Sequence, residues 1–317
     1  MNELSGRFGS DDAALRSEDA PLLTGAGRFV DDLRVAGQAY GAFVRAPVGH
    51  GVLRGVDGAA ALAMPGVLAV VTGADLKAAG LGDILPAITF PGKDGMTMAA
   101  APKPVLAYEK IRHAGEAVAL VIAESAAQAA DAAEAVELDI EALPAVPDVA
   151  DALAEGAPLV WDSAPGNVAF EWVDGDEDAV GAAFAGATHV SQVSLFDNRL
   201  APVTMEPRGG IGEWDEGLGR YTLTAATQGV SLVSKIFAGH VFKTEPENVR
   251  VLTHDVGGGF GMKAHPYPEY AAIMFAARTV GRPVKWCNSR LESFLTDTAG
   301  RDTLIDAEMA FDGDGKV

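Results

Sequence analysis

The chain has 317 residues, 49% of them apolar, and its 24 basic and 44 acidic side chains give a formal charge of −20. This length allows two domains and a sizeable core. The negative charge argues against nucleic acid and anionic membranes as partners, because it repels phosphate groups. The single cysteine, Cys287, excludes an intrachain disulfide and an iron–sulfur cluster, which needs several thiolates.

Other metal-site signals are also missing from the sequence. Cys287 lies in a strand-like run and is expected to be a small, buried core residue. The six histidines have no HxxxH spacing, and there is no CxxC pair, so we do not expect zinc bound by this chain alone.

The first half of the chain alternates between buried strands and helices. Residues 1–15 look loosely structured and lack the basic and apolar regions of a signal peptide, so a cytoplasmic location is expected. No stretch has the length of a membrane span. The apolar runs predict strands at 40–45, 67–72, 115–123 and 136–140, and helices at 59–64 and 125–136, with Ser125 as N-cap of the second helix. This order indicates an α/β unit.

A segment rich in proline, residues 143–167, is the predicted domain boundary, which gives domains at 1–150 and 151–317. The acidic cluster at 174–178 reads as a solvated turn and helix start. The remaining patterns predict strands at 189–196, 221–225, 249–253 and 283–286, a helix at 231–241 capped by Ser231, and a helix at 269–280 ended by Gly281.

Residues 256–261, here called the glycine loop, carry four glycines and Phe260 between a predicted strand and a predicted helix. Glycine lets the backbone approach a ligand closely, and its N–H groups can then bind an anion or an oxo group. The loop matches neither nucleotide motif, because Met262 stands where a Rossmann loop needs glycine and Ala264 where a Walker loop needs serine or threonine. A tight strand-to-helix turn is the alternative.

The C-terminal segment predicts an unfinished hairpin. Residues 303–311 alternate between apolar and polar side chains, and residues 312–315 have the composition of a hairpin turn. The expectation is an edge strand without a partner, completed by another polypeptide. A truncated chain, or an edge strand with a disordered tail, would give the same pattern.

Ten short motifs in order resemble the molybdopterin-binding large subunit of the xanthine dehydrogenase, aldehyde oxidase and carbon monoxide dehydrogenase family. The resemblance covers residues 16–317. The motifs are 16–19 (RSED), 23–29 (LTGAGRF), 31–32 (DD), 44–47 (VRAP), 65–67 (PGV), 115–119 (GEAVA), 205–209 (MEPRG), 227–228 (TQ), 256–261 (VGGGFG) and 281–285 (GRPVK).

The resemblance implies an α+β (mixed α/β) fold. It places an α/β-hammerhead domain at 1–150 and the first part of a molybdopterin-binding domain at 151–317, completed by a partner chain. It implies a molybdenum cofactor, as molybdopterin or its cytosine dinucleotide, shared with that partner. Iron–sulfur and FAD subunits would accept the electrons.

The resemblance also assigns roles to individual residues. Gln228 matches the glutamine that hydrogen-bonds the apical oxo ligand of molybdenum, without being a direct metal ligand. Gly258, Gly259, Phe260 and Gly261 match the loop that contacts the cofactor. Glu206 and Arg208 match a nearby segment and are expected to be structural, as an internal ion pair.

Two departures from the family pattern limit what this chain can do. Ala264 stands where purine-oxidising members have a substrate-binding glutamate, which argues against xanthine. The catalytic glutamate of the family, a general base, has no match among Glu206, Glu213, Glu269 and Glu292, so no catalytic residue is expected in this chain.

These observations favour the N-terminal half of a split large subunit of a molybdenum hydroxylase, which hydroxylates an N-heterocycle or an aldehyde using water. The expected partners are a second molybdopterin-binding chain, an iron–sulfur subunit, an FAD subunit and a small-molecule substrate. Two alternatives remain: a truncated fragment of a continuous large subunit, or a non-catalytic assembly or cofactor-handling protein with the same fold.

Overall fold

The computed structural model describes residues 16–317. The loose segment and missing signal peptide predicted for residues 1–15 therefore lie outside the described residues. Among the helices that are described, none combines the length and the apolar character that crossing a bilayer would require.

Most of the chain is organised around strands. The four strands predicted in the first half are present within two residues of the predicted bounds, whereas β2 and β4 were not predicted. The strands are β1 (Ala39–Arg45), β2 (Gly51–Asp57), β3 (Val67–Thr72), β4 (Lys110–Ile111), β5 (Ala117–Ala123), β6 (Glu137–Ala142), β7 (His189–Asp197), β8 (Gly209–Asp215), β9 (Arg220–Ala225), β10 (Val249–Leu252), β11 (Val284–Cys287) and β12 (Thr303–Phe311).

The helices are mostly short and link or cover these strands. They are α1 (Asp19–Leu23), α2 (Ala59–Leu62), α3 (Gly73–Ala78), α4 (Ala126–Glu134), α5 (Val149–Ala152), α6 (Glu177–Gly186), α7 (Val230–Ile236), α8 (Pro268–Val280) and α9 (Arg290–Thr296).

A seven-stranded mixed sheet in the order β10-β9-β8-β11-β1-β5-β3 forms the centre of the molecule. Every residue of β5 is buried, as expected for an uninterrupted apolar run covered on both faces. The sheet joins the two halves of the chain, because β1 pairs in parallel with β11 through Ala39 and Val284. A smaller sheet, β4-β2-β6, lies beside it.

Helix α8 covers one face of the central sheet and positions the candidate site. Its buried residues include Tyr270, Ile273 and Met274. The helix approaches β8 so closely that a Cβ at Gly212 would lie 2.6 Å from the backbone of Ile273, so glycine is required there. The helix ends at Gly281, whose φ of 65° provides the expected left-handed C-cap.

The capping predictions have different outcomes at two other helices. Ser125 caps α4, since its side chain accepts a hydrogen bond from the Gln128 backbone. The predicted cap at Ser231 is wrong: α7 begins at Val230 after Gly229 and passes into a π-helical turn at Phe237–Phe242. The acidic cluster behaves as predicted, because Asp176 caps α6.

The C-terminal strand has a partner within the chain, so the expectation that it lacks one is wrong, although among residues 16–317 its other edge is unpaired. Strand β12 pairs antiparallel with β7 over its full length, from Thr303 with Asp197 to Phe311 with His189. The two strands form a separate sheet, the terminal ribbon. The sequence pattern did not reveal this pairing because the strands are separated by about a hundred residues. Apolar side chains on both strands are exposed, including Leu195, Phe196 and Met309.

Candidate functional site

The glycine loop leaves the end of β10 in a conformation that most residues avoid. Gly258 and Gly261 have φ values of 99° and 81°. Phe260 has a φ of 50°, an unfavourable backbone conformation for a large side chain, and its ring is 75% exposed. A strained backbone that presents an apolar ring to solvent does not serve core packing, and such strain is typical of functional sites.

Gln228 lies against this loop. It follows β9 and precedes α7, and it is exposed. A Cβ added at Gly259 would lie 2.4 Å from its Cδ and 2.6 Å from its Oε1. The structure therefore brings together two predicted cofactor contacts, Gln228 and Gly259, that are distant in sequence. Any side chain at position 259 would displace the Gln228 amide.

The loop offers hydrogen-bond donors that remain available. Within residues 16–317, the backbone N–H groups of Gly258, Gly259, Phe260 and Gly261 donate to no acceptor. The side-chain amide of Gln228 likewise has no hydrogen-bond partner in this part of the chain. Unpaired donors on a surface without Cβ atoms can bind a ligand rich in acceptors.

Glu206 and Arg208 do not form the expected ion pair with each other, and each instead pairs with other residues. The Glu206 carboxylate accepts a hydrogen bond from the buried ammonium of Lys263 at 2.9 Å. Arg208 instead pairs with Glu269 and Asp297. The two side chains lie two residues apart at the entry to β8, and each contacts a different part of the fold.

A second cluster, here called the arginine network, is formed by Arg208, Arg45, Glu269, Asp297 and Glu292. Arg208 is fully buried and donates to Asp297 at 2.5 Å and to both carboxylate oxygens of Glu269, at 3.1 and 3.3 Å. Arg45 donates to the same Glu269 at 3.1 Å. Two guanidinium groups thus share one buried carboxylate.

The aromatic ring of Tyr267 links this network to the segment that follows the glycine loop. The Arg208 guanidinium lies 3.8 Å from the ring centroid of Tyr267, a cation–π distance. The Tyr267 hydroxyl donates to the Met262 carbonyl and accepts from the Thr298 backbone, each at 3.0 Å. The segment around Met262 is therefore anchored to the core.

Electrostatics in the network follow from burial and pairing. Burial alone would raise the pKa of Glu269, but attraction to Arg208 and Arg45 outweighs it and lowers that pKa to about 2. Burial raises the pKa of the Tyr270 hydroxyl well above its usual value. Burial also raises the pKa of the Cys287 thiol, to about 12. Neither Tyr270 nor Cys287 is therefore a nucleophile near neutral pH.

Two grooves of about 970 and 470 Å³ lie away from the glycine loop. Neither Gln228 nor any residue of the loop lines them. Across residues 16–317, no group of three or more histidine, cysteine, aspartate or glutamate side chains could hold a metal ion. The candidate site is thus an exposed surface of backbone donors and Gln228, with Phe260 beside them.

Sequence reasoning assigned no role to Lys263, to Thr227 or to the members of the arginine network other than Arg208. The Thr227 hydroxyl donates to the Lys263 carbonyl at 2.9 Å, beside Gln228. The only signal for Lys263 in the sequence was its position between the glycine loop and the apolar helix that follows. Its partner, Glu206, lies 57 residues away and could not be deduced from spacing.

Two known protein-family models together match nearly all of the described chain. The model for the aldehyde oxidase and xanthine dehydrogenase a/b hammerhead domain matches residues 24–144. The model for the molybdopterin cofactor-binding domain matches residues 160–317, which include Gln228 and the glycine loop.

Individual relatives support the same family assignment. The chain is 35% identical to the carbon monoxide dehydrogenase large chain of Hydrogenophaga pseudoflava, covering 96% of this chain and 38% of that protein. It is 35% identical to the nicotine 6-hydroxylase large subunit of Paenarthrobacter nicotinovorans, covering 95% and 36%. The quinoline 2-oxidoreductase structure from Pseudomonas putida 86 superposes with a TM-score of 0.83 at 34% identity, covering 95% and 37%.

The chain spans less than two fifths of the length of these relatives. Its mixed α/β fold consists of a hammerhead domain and the start of a molybdopterin-binding domain. The chain therefore belongs to the family of molybdopterin-binding large subunits of xanthine dehydrogenases, aldehyde oxidases and carbon monoxide dehydrogenases.

Proposed function

We propose that this chain forms one wall of the molybdenum-cofactor pocket of a molybdenum hydroxylase. The observation that carries the proposal is the surface formed by Gln228 and the glycine loop. Four consecutive N–H groups without an acceptor among the described residues lie beside an amide that is also unpaired. A pterin cofactor with oxo and phosphate oxygens offers the acceptors that these donors lack.

Each residue of this wall has a separate task in the proposal. The Gln228 amide donates a hydrogen bond to an oxo group and so orients it without being a metal ligand. The backbone of Gly258, Gly259 and Gly261 approaches the cofactor closely because no Cβ intervenes. The exposed ring of Phe260 excludes water from the reacting centre. When bound, the cofactor supplies the redox centre for hydroxylation with water as the oxygen source.

We propose that the general base comes from polypeptide outside these 317 residues. In the described part of the chain, Glu206 and Glu269 are both committed to buried ion pairs, and neither is available as a base near the loop. We propose that a second molybdopterin-binding chain supplies a glutamate for this purpose and completes the pocket. Separate iron–sulfur and FAD subunits then accept the electrons.

The proposed substrate is an N-heterocycle or an aldehyde. Two relatives are named for nicotine and quinoline, both N-heterocycles, which supports the first class. Ala264 is small and apolar, so it offers no carboxylate to a purine; this supports the exclusion of xanthine. The cofactor is molybdopterin or its cytosine dinucleotide.

Replacing Gln228 with alanine tests the function of this surface. We expect turnover of the native complex to fall by roughly 10- to 100-fold, because an orienting hydrogen bond to the cofactor is lost. The amount of assembled complex should change little, since the Gln228 side chain is exposed and its amide has no hydrogen-bond partner among residues 16–317, while the backbone hydrogen bond to Lys263 is kept. Steady-state kinetics with an N-heterocyclic substrate measure the effect.

The matched control is Gln192→Ala. Gln192 is an exposed glutamine on β7 whose amide pairs with Glu308, away from the glycine loop. Its replacement should leave turnover unchanged. If Gln228→Ala also left turnover unchanged, the chain would be better described as a non-catalytic assembly protein.

Metal analysis and mass spectrometry of the native complex test the composition that we propose. We expect molybdenum with a pterin, iron and FAD, and a second large polypeptide beside this chain of 32.7 kDa. Absence of molybdenum would contradict the whole proposal. A single, much heavier polypeptide that contains these residues would contradict only the division into two chains.

A further inference from the structure

Glu206 fixes the first residue of the glycine run through both its side chain and its backbone. One carboxylate oxygen, Oε2, accepts from the Gly257 N–H at 2.8 Å, and the Glu206 N–H donates to the Gly257 carbonyl at 3.0 Å. The second carboxylate oxygen of Glu206, Oε1, accepts a hydrogen bond from the Val30 N–H at 3.2 Å. The approach is so close that a Cβ at Gly257 would lie 2.4 Å from the Glu206 Cβ.

Lys263 connects this carboxylate to Gln228. Its ammonium donates to the same Oε2 of Glu206 at 2.9 Å. Its backbone carbonyl accepts from the Gln228 N–H at 3.1 Å and from the Thr227 hydroxyl at 2.9 Å. One buried residue therefore contacts both the carboxylate that holds the glycine loop and the backbone that carries Gln228.

Stability alone does not explain a buried ion pair at this position. The Lys263 side chain has no exposed area and that of Glu206 is 11% exposed, so both charges are largely removed from water. Burial lowers the pKa of Lys263, and attraction to Glu206 opposes this. An apolar pair of similar volume would commonly be as stable, whereas charged, directional hydrogen bonds restrict geometry.

We propose that Glu206 and Lys263 are positioning residues that hold Gln228 and the glycine loop in one fixed arrangement towards the cofactor. The proposal rests on the function proposed above and extends it to two residues that do not touch the cofactor. Glu206 sets the start of the loop, and Lys263 transmits that position to the turn containing Gln228. Loss of the pair should therefore change the cofactor environment without removing any direct contact.

Three variants of the native complex test the pair: Glu206→Gln, Lys263→Met and the charge-balanced double variant. Hydrogen–deuterium exchange of the peptide that contains residues 257–261 should become roughly tenfold faster or more, because a charge-assisted hydrogen bond to Gly257 is weakened or lost. The Mo(V) electron paramagnetic resonance signal should shift, and turnover should fall roughly 10- to 100-fold. The double variant should recover thermal stability but neither the signal nor turnover.

The matched control is Lys285→Met, which removes another buried lysine. Lys285 donates to the Asp31 and Leu33 carbonyls and forms no hydrogen bond to Glu206 or to the glycine loop. The Lys285→Met replacement should lower the stability of the protein but leave hydrogen–deuterium exchange of the glycine loop and the Mo(V) signal unchanged. A double variant with the wild-type signal and turnover, or loop exchange no faster than in Lys285→Met, would overturn the proposal.

The same measurements separate this inference from the proposed function. If Gln228→Ala changes neither turnover nor the Mo(V) signal while Glu206→Gln accelerates loop exchange, the cofactor role fails and the loop anchor remains. If Gln228→Ala lowers turnover while the Glu206 and Lys263 variants do not, the positioning role fails alone.

Discussion

Replacing Glu269 with glutamine is expected to lower the free energy of unfolding by roughly 3–5 kcal/mol, the usual cost of breaking a buried ion pair on one side. Glu269 is buried and accepts hydrogen bonds from Arg208 and Arg45. An amide of the same shape carries no charge, so Arg208 keeps only Asp297 and Arg45 keeps only Glu292 as a carboxylate partner. The stacking of Arg208 on Tyr267 does not replace the lost carboxylate, because cation–π contacts contribute less.

Urea denaturation at neutral pH measures this loss, with Glu124→Gln as the control. Glu124 also pairs with an arginine through two hydrogen bonds, to Arg282, but on the surface, where such pairs contribute about 1 kcal/mol or less. The control should therefore remain close to wild type. A loss in Glu269→Gln no greater than in the control would mean that Arg208 and Arg45 are compensated by other groups.

Periodicity and turn chemistry predicted much of the fold because they depend on local interactions. The apolar run at 115–123 predicted a buried strand, and β5 (Ala117–Ala123) is a fully buried strand of the central sheet. Helix α8 was predicted within one residue, since Pro268 and Gly281 mark its ends. The domain boundary near residue 150 stays a prediction.

Long-range pairing could not be predicted in the same way. Strand β12 was expected to lack a partner, yet it pairs with β7, because strand register depends on the tertiary fold as well as on alternation. Arg208 was expected to pair with Glu206, two residues away. Its actual partners, Glu269 and Asp297, lie 61 and 89 residues further along the chain.

The candidate site contains one feature that local sequence could predict and one that depends on the tertiary fold. The glycine loop could be identified from its composition, since four glycines around a phenylalanine form a local signal. Its contact with Gln228 depends on the juxtaposition of the loop after β10 with the turn after β9, which are parallel neighbours in the sheet. The family resemblance supplied the role of Gln228. It assigned no role to Lys263, which was found only through its contacts.

Acidification should expose the contribution of Glu269 to stability. Burial alone would raise the pKa of its carboxyl, but the two arginines lower it from 4.5 to about 2 in the folded chain. Because the folded pKa lies below the unfolded one, this contribution is complete above about pH 4.5 and disappears as the pH falls towards 2. At about 1.4 kcal/mol per pH unit, the contribution is roughly 3 kcal/mol.

Carbon NMR of glutamate-labelled protein, assigned with Glu269→Gln, provides the direct measurement. The Glu269 carboxyl signal should remain that of the charged form down to pH 3.5, where ordinary exposed glutamates are already mostly protonated. Consistently, the stability difference between wild type and Glu269→Gln should be constant from pH 7 to about 5 and shrink below 4.5. A carboxyl that titrated near 4.5 would contradict the arginine network, because only uncompensated or solvent-exposed glutamate behaves in that way.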